Sequence, residues 1–154
     1  MQFTVLAIGR LRSKPCAQLI DDYARRLQRG ARLTFVEVPE GRDGDAHAVR
    51  DQESRALLAR VPDRARLILL DERGLALTSR ALAERIRIDQ LHGDSHWVLA
   101  IGGAFGHGEP LRARADWSLA LSAMTLPHEL ARVVLVEQLY RAMSILSGAP
   151  YHKD

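Results

Sequence analysis

Ile101-Gly102-Gly103-Ala104-Phe105-Gly106-His107-Gly108 and the later Ser122-Ala123-Met124-Thr125-Leu126-Pro127-His128 decide how this chain is read. The first closes an apolar run, Trp97–Ile101, of strand character, and the second follows another short one, Leu119–Leu121. Glycine-rich and small polar turns leave backbone N–H and C=O groups uncovered, so a ligand can lie against main chain. In open α/β sheets ligands bind beyond the carboxyl ends of strands. One glycine turn is more often structural than functional; two, each after a strand, predict a pocket for an adenosine-like cofactor.

Outward from these turns, Phe3–Ile8, Leu33–Val38 and Leu67–Leu70 read as further strands, separated by helical patterns near 15–29, 45–60 and 78–91. Such alternation predicts an α/β fold on a parallel sheet. Ser13 and Pro15 open the first helix, Gly30 closes it, and Thr78 or Ser79 caps the third. The run 39–45 is the most loop-like part. No repeat, low-complexity tract or linker divides the chain, so one domain over 1–154 is expected. The last helix, from near Pro127 to about Ser147, carries Leu130, Val133, Val134, Leu135, Val136, Leu139, Tyr140, Met143, Ile145 and Leu146 on more than one stripe. A helix apolar nearly all round is buried on nearly all sides. The sheet covers one side, which predicts a homodimer covering the other; a helix sandwiched within one chain is the alternative.

Composition narrows the class. With 154 residues, 47% of them hydrophobic, the chain can bury a core without disulfides or metal. A lone Cys16, no basic leader and no apolar run near the roughly 18 residues of a membrane span predict a cytoplasmic protein outside membranes. A net charge of +3, with Lys14 and Lys153 the only lysines, permits contact with a polyanion without requiring it.

The glycine turn is not G-x-G-x-x-G, and it lies too late in the chain for a nicotinamide site. His92 and His96 are interrupted by Gly93, H-E-x-x-H is absent, and no Ser-His-Asp or Cys-His arrangement is identifiable. Near the predicted pocket the polar candidates are His128 and Arg132, on one helix face, then Arg141 and the tail Pro150-Tyr151-His152-Lys153. Each has a plain alternative: Glu137 and Arg141 are spaced as a salt pair, and a terminal Tyr-His is often frayed.

The run Ile101-Gly102-Gly103…Gly106, the block from Ala113 through Ser122-Ala123-Met124-Thr125-Leu126-Pro127-His128 to Val133, then Glu137-Gln138-Leu139-Tyr140-Arg141-Ala142 and Pro150-Tyr151-His152 closely resemble the large-subunit ribosomal RNA methyltransferase H family, of the SPOUT class. The likeness spans essentially the whole chain, including Leu69-Leu70-Asp71 and its Gly74 turn. It implies a parallel-sheet fold with a deep C-terminal trefoil knot, a homodimer, S-adenosylmethionine as methyl donor without a metal, and methylation at N3 of a 23S rRNA pseudouridine, the 1915 site, in the assembled 70S ribosome. By motif position it implies cofactor contacts at Leu70, Gly103, Ser122, Ala123, Met124, Thr125, Leu126 and Pro127. His128 or His152 is the expected proton acceptor, Arg132 and Arg141 the expected charge-stabilising or phosphate-binding groups, and Tyr151 with His152 an RNA-contacting tail. One departure stands out: Ala104-Phe105-Gly106 replaces the Pro-Glu-Gly of many members, which removes a carboxylate. Two competing readings are a knotted methyltransferase acting on tRNA and a non-catalytic ribosome-binding factor.

Overall fold

The computed structural model describes residues 1–151. Five strands, β1 (Gln2–Ile8), β2 (Arg32–Val38), β3 (Arg66–Ala76), β4 (His96–Ile101) and β5 (Trp117–Ala120), form one sheet in the order β2-β1-β4-β3-β5. Every pairing is parallel. Strand periodicity sorts the core onto two faces. Phe3, Val5, Ala7, Ile68, Trp97, Leu99 and Ile101 meet α1 (Lys14–Leu27), α3 (Ser79–Leu91) and α5 (His128–Leu146) through Leu27, Leu82, Ile86, Leu135 and Leu139. Leu6, Ile8, Leu67, Leu69, Val98 and Ala100 meet α2 (Ala46–Leu58) and α4 (Glu109–Arg114) through Leu57 and Leu111. Fully buried Trp97 anchors the first layer, edge-on to Phe3 and Trp117, and its indole N–H donates to Asp89 Oδ2 at 2.8 Å.

The helix starts follow the expected chemistry. Ser13, Asp45 and Thr78 accept from the backbone N–H groups of Cys16, Ala48 and Ala81, which satisfies donors the first turn leaves free. Helix α1 ends at Leu27, three residues before Gly30, with Gln28 in right-handed geometry as its cap. The short α4 is absent from the expected pattern, although Pro110 just inside its start is a usual initiation signal. Strand β3 runs on past Leu70 through an irregularity, so that Leu70 and Leu75 both pair with Leu119. Gly74 makes this possible, because a Cβ there would lie 2.6 Å from the Ser118 carbonyl carbon.

The expectation for α5 changes here. The helix is apolar nearly all round because the chain's own α1 and α3 flank it: Ile20 packs on Val133 and Val136, while Leu82 and Ile86 share a core with Leu135 and Leu139. Its burial therefore does not require a second copy. Leu130 remains exposed at its first turn. Among the described residues no helix is long and apolar enough to cross a membrane.

Candidate active site

Leu70 pairs with Ile101 on one side and Leu119 on the other, so β4, β3 and β5 end side by side. A cavity of about 860 Å³ opens beyond these ends. Its walls are the two turns singled out in the sequence, together with a third segment, Asp71-Glu72-Arg73, from the irregular stretch of β3. The first turn folds back on itself, with Gly103 and Gly106 bridged antiparallel and the Gly106 N–H donating to the Gly103 carbonyl at 3.1 Å. Gly106 takes φ of +75°, where a side chain is strained. In the second turn the Met124 N–H donates to Ser122 Oγ at 2.9 Å, and the Thr125 hydroxyl donates to Glu72 Oε2 at 3.1 Å, linking turn to β3.

The expected cofactor residues Leu70, Gly103, Ser122, Met124, Thr125, Leu126 and Pro127 line this cavity, as does His128 at the start of α5; Ala123 is not among its lining residues. The other polar candidates lie elsewhere. Arg132 is 3% exposed: Nη2 donates to the carbonyls of Ile8 and Gly9, and Nη1 to Glu37. The guanidinium is thus committed through both Nη atoms to the end of β1 and to Glu37, and it lies outside the cavity lining. Shared helix face and shared site differ here: His128 faces the cavity while the long side chain of Arg132 reaches under it. Arg141 donates twice to Glu137 Oε1, lies 4.8 Å over the Tyr151 ring, and Tyr151 donates to the same oxygen at 3.0 Å. Burial, with Tyr23 and Glu137 beside it, raises the Tyr151 pKa above that of a free phenol. This cluster on α5 lies apart from the cavity lining of its own chain, and His152 falls outside the described residues.

Sequence reasoning missed a polar brace under the cavity. His107, 4% exposed, sits with Nε2 at 3.0 Å from the Leu70 carbonyl, which fixes Nε2 as the protonated nitrogen. Burial holds its pKa below the usual imidazole range, against the opposing effect of that hydrogen bond. Arg112 donates through Nε to the His107 carbonyl and through Nη2 to Asp71 Oδ2 at 2.6 Å. Burial pushes the Asp71 pKa up, but the Arg73 N–H and Arg112 outweigh it and hold it below the ordinary value. The brace ties the glycine turn to the end of β3, one wall of the cavity to another. An acid directly after an apolar strand was the available signal, while the side chains that act on Asp71, those of His107 and Arg112, lie 36 and 41 positions away and carried none.

Residues 1–152 match a family model described as "Predicted SPOUT methyltransferase". The chain is 52% identical to the ribosomal RNA large subunit methyltransferase H of Anaeromyxobacter sp. (strain Fw109-5), over 99% of this chain and 100% of that one. It is 44% identical to the protein of that name from Hyphomonas neptunium, over 99% of each, and 39% identical to that from Geobacter sp. (strain M21), over the full length of both. Among solved structures, a probable methylase family protein from Haemophilus influenzae Rd KW20 aligns at a TM-score of 0.51 and 15% identity, over 95% of this chain and 66% of that one. That last likeness concerns the fold alone.

Proposed function

The chain belongs to the SPOUT methyltransferases, within the ribosomal RNA large subunit methyltransferase H family, and from that premise we propose that it transfers a methyl group from S-adenosylmethionine to N3 of a pseudouridine, the 1915 site, of 23S rRNA in the assembled 70S ribosome. The observation that carries this reading is the cavity at the ends of β4, β3 and β5, walled by the two backbone-exposing turns.

The residues present suit the cofactor. Leu70, Ile101, Leu119 and Leu126 give an apolar wall for adenine, the glycine turn offers uncovered main chain, and the Asp71 and Glu72 carboxylates complement its positive charges. When bound, the sulfonium supplies a methyl group that is already activated, so the chemistry calls for no metal. The protein's task is then alignment and proton removal. Pseudouridine N3 lies between two carbonyls, which makes its proton weakly acidic. His128, in the cavity wall, accepts that proton as N3 takes the methyl, directly or through one water. The brace of His107, Arg112 and Asp71 keeps the two walls in register.

Arg141 and Tyr151, which lie apart from the cofactor pocket of their own chain, are on this reading RNA contacts, with His152 a further expected one. A chain of one domain recognises the ribosome through the surface of a homodimer; exposed Leu130, and exposed Met124 in the pocket wall, suit a place at its interface. The C-terminal trefoil knot fits the path of α5, which returns from edge strand β5 to lie between α1 and α3. Acting on ribosomes, the protein works in the cytoplasm.

The test incubates the protein with radiolabelled S-adenosylmethionine and, separately, unmethylated 70S ribosomes, free subunits and bulk tRNA, then maps the product by reverse-transcription stops. Label at one large-subunit pseudouridine in 70S particles alone is the expected result. Label on tRNA replaces the substrate, and no label with any RNA rejects catalysis in favour of a binding factor. His128→Ala is expected to cut turnover steeply with little change in cofactor affinity; unchanged turnover removes His128 as the base.

A further inference from the structure

Three arginines line the large cavity, Arg50, Arg73 and Arg112, and they are not equivalent. Arg112 is committed to the His107 carbonyl and to Asp71, and Arg73 is exposed on the irregular stretch of β3. Arg50, on α2, is half-buried, with its side chain 34% exposed. Its Nε is buried without a partner, 4.0 Å from the nearer Asp51 oxygen and so beyond hydrogen-bond reach. The donors it has to offer are therefore the two Nη nitrogens, a fork whose end matches a carboxylate. The backbone under Arg50 is held in place. Ser54, one helical turn on, accepts the Gly108 N–H at 2.7 Å, and the buried Glu53 carboxylate packs so closely on Gly103 that a Cβ there has no room. Residues four apart share a helix face, so Arg50 is presented to the same glycine turn as Ser54. The carboxylates of the lining are tied to other donors: Asp71 to Arg112 and the Arg73 N–H, Glu72 to the Thr125 hydroxyl. A half-buried guanidinium without an acceptor is costly, and the anion that completes this one has to come from a ligand.

We infer that Arg50 binds the α-carboxylate of S-adenosylmethionine and so anchors the methionyl end of the cofactor to α2, while adenine lies on the apolar wall of Leu70, Ile101, Leu119 and Leu126. This rests on the reading of the cavity as the cofactor site. An RNA phosphate is the competing anion, and burial separates the two. A phosphate backbone stays outside the cavity, where exposed Arg73 is the better placed cation. The cofactor fills the cavity and carries one anionic group, and Arg50 is the lining arginine that is both uncommitted and sheltered enough from water for a single ion pair to count. The carboxylate takes no part in methyl transfer and persists in S-adenosylhomocysteine. Arg50 therefore supplies uniform binding, felt equally by substrate, product and transition state.

The experiment is a binding cycle without RNA: calorimetric affinities of wild type, Arg50→Ala, Arg50→Gln and Arg50→Lys for S-adenosylmethionine and for its decarboxylated analogue, in which hydrogen replaces the carboxylate. Wild-type protein should bind the complete cofactor about tenfold more tightly than the analogue, as loss of a charge-assisted hydrogen bond implies. R50A should lose about tenfold in affinity for the complete cofactor and stay within about twofold of wild type for the analogue. R50Q, which keeps most of the side-chain stem, should do the same, and it decides the matter if R50A does not fold. R50K should recover part of the preference, since an ammonium keeps the charge without the fork. A wild type without the preference overturns the proposal, as does a folded variant that keeps it or that weakens both ligands equally. If cofactor binding is unmoved while KM for ribosomes rises and its salt dependence flattens, Arg50 is a phosphate contact and the proposal fails. Wild-type protein that binds neither ligand refutes the cofactor reading itself, and the proposal with it.

Discussion

Replacing Arg132 by alanine removes three donations at once: to Glu37 Oε1 at 3.0 Å, to the Ile8 carbonyl at 2.9 Å and to the Gly9 carbonyl at 2.8 Å. Hydrogen bonds to a charged group contribute about 1.5–3 kcal/mol each, but they do not simply add here. Glu37 is 41% exposed and turns to water when abandoned, so its share is small. The two carbonyls at the end of β1 face the greater loss, because the guanidinium that serves them is only 3% exposed. A cost of about 3–5 kcal/mol follows, in line with truncating one partner of a buried ion pair. Arg132→Lys, whose ammonium reaches fewer of the three acceptors, should cost about half as much. Urea unfolding followed by circular dichroism, at fixed protein concentration and with the m-value checked, measures both. A loss below about 1 kcal/mol with an unchanged m-value would refute the reasoning. If R132A instead kept full stability but bound ribosomes with a weaker salt dependence, Arg132 would be a phosphate contact after all.

Gly74→Ala should cost about 1–3 kcal/mol as an overpacking change, since the new Cβ meets the Ser118 backbone at 2.6 Å; thermal unfolding reads it, and an unshifted midpoint would show that β3 and β5 separate freely. Trp97→Phe should cost about 1–3 kcal/mol by leaving Asp89, 6% exposed, without its indole donor, a loss that equilibrium denaturation measures. His107 has a folded-state pKa below that of the unfolded chain, so the unfolded state binds more protons at mildly acid pH. Its contribution is complete above the unfolded value of about 6.5 and declines as pH falls below it. His107→Leu should flatten that part of the stability profile between pH 8 and pH 5, and a mutant profile parallel to wild type would count against the assignment.

Elements with a local cause were legible in the residue pattern. Ser13 and Thr78 announced their helices, and each of the five strands was marked by its own apolar run. Two of the three cavity walls were legible for the same reason, being single turns whose residues bracket a strand end. The third wall was not, because Asp71, Glu72 and Arg73 become site residues only through the pairing of Leu70 and Leu75 with one residue of β5. The placement of the Arg132 side chain was illegible for a related reason. Helical spacing put it on the His128 face, whereas the destination of its side chain was set by carbonyls 123 and 124 positions away.

The sequence by itself determined the alternation of strands and helices, the two backbone-exposing turns and the family motif, since these depend on interactions within a few residues or on residue identity alone. Only the tertiary structure decided that α5 is covered by α1 and α3, that Arg132 is a strut, that His107 and Arg112 brace the pocket, and that the buried Glu53 carboxylate packs against Gly103. The physical reason is common to all four. Burial and partner choice depend on which surfaces meet once the sheet order β2-β1-β4-β3-β5 is formed, and that order joins segments no local pattern connects.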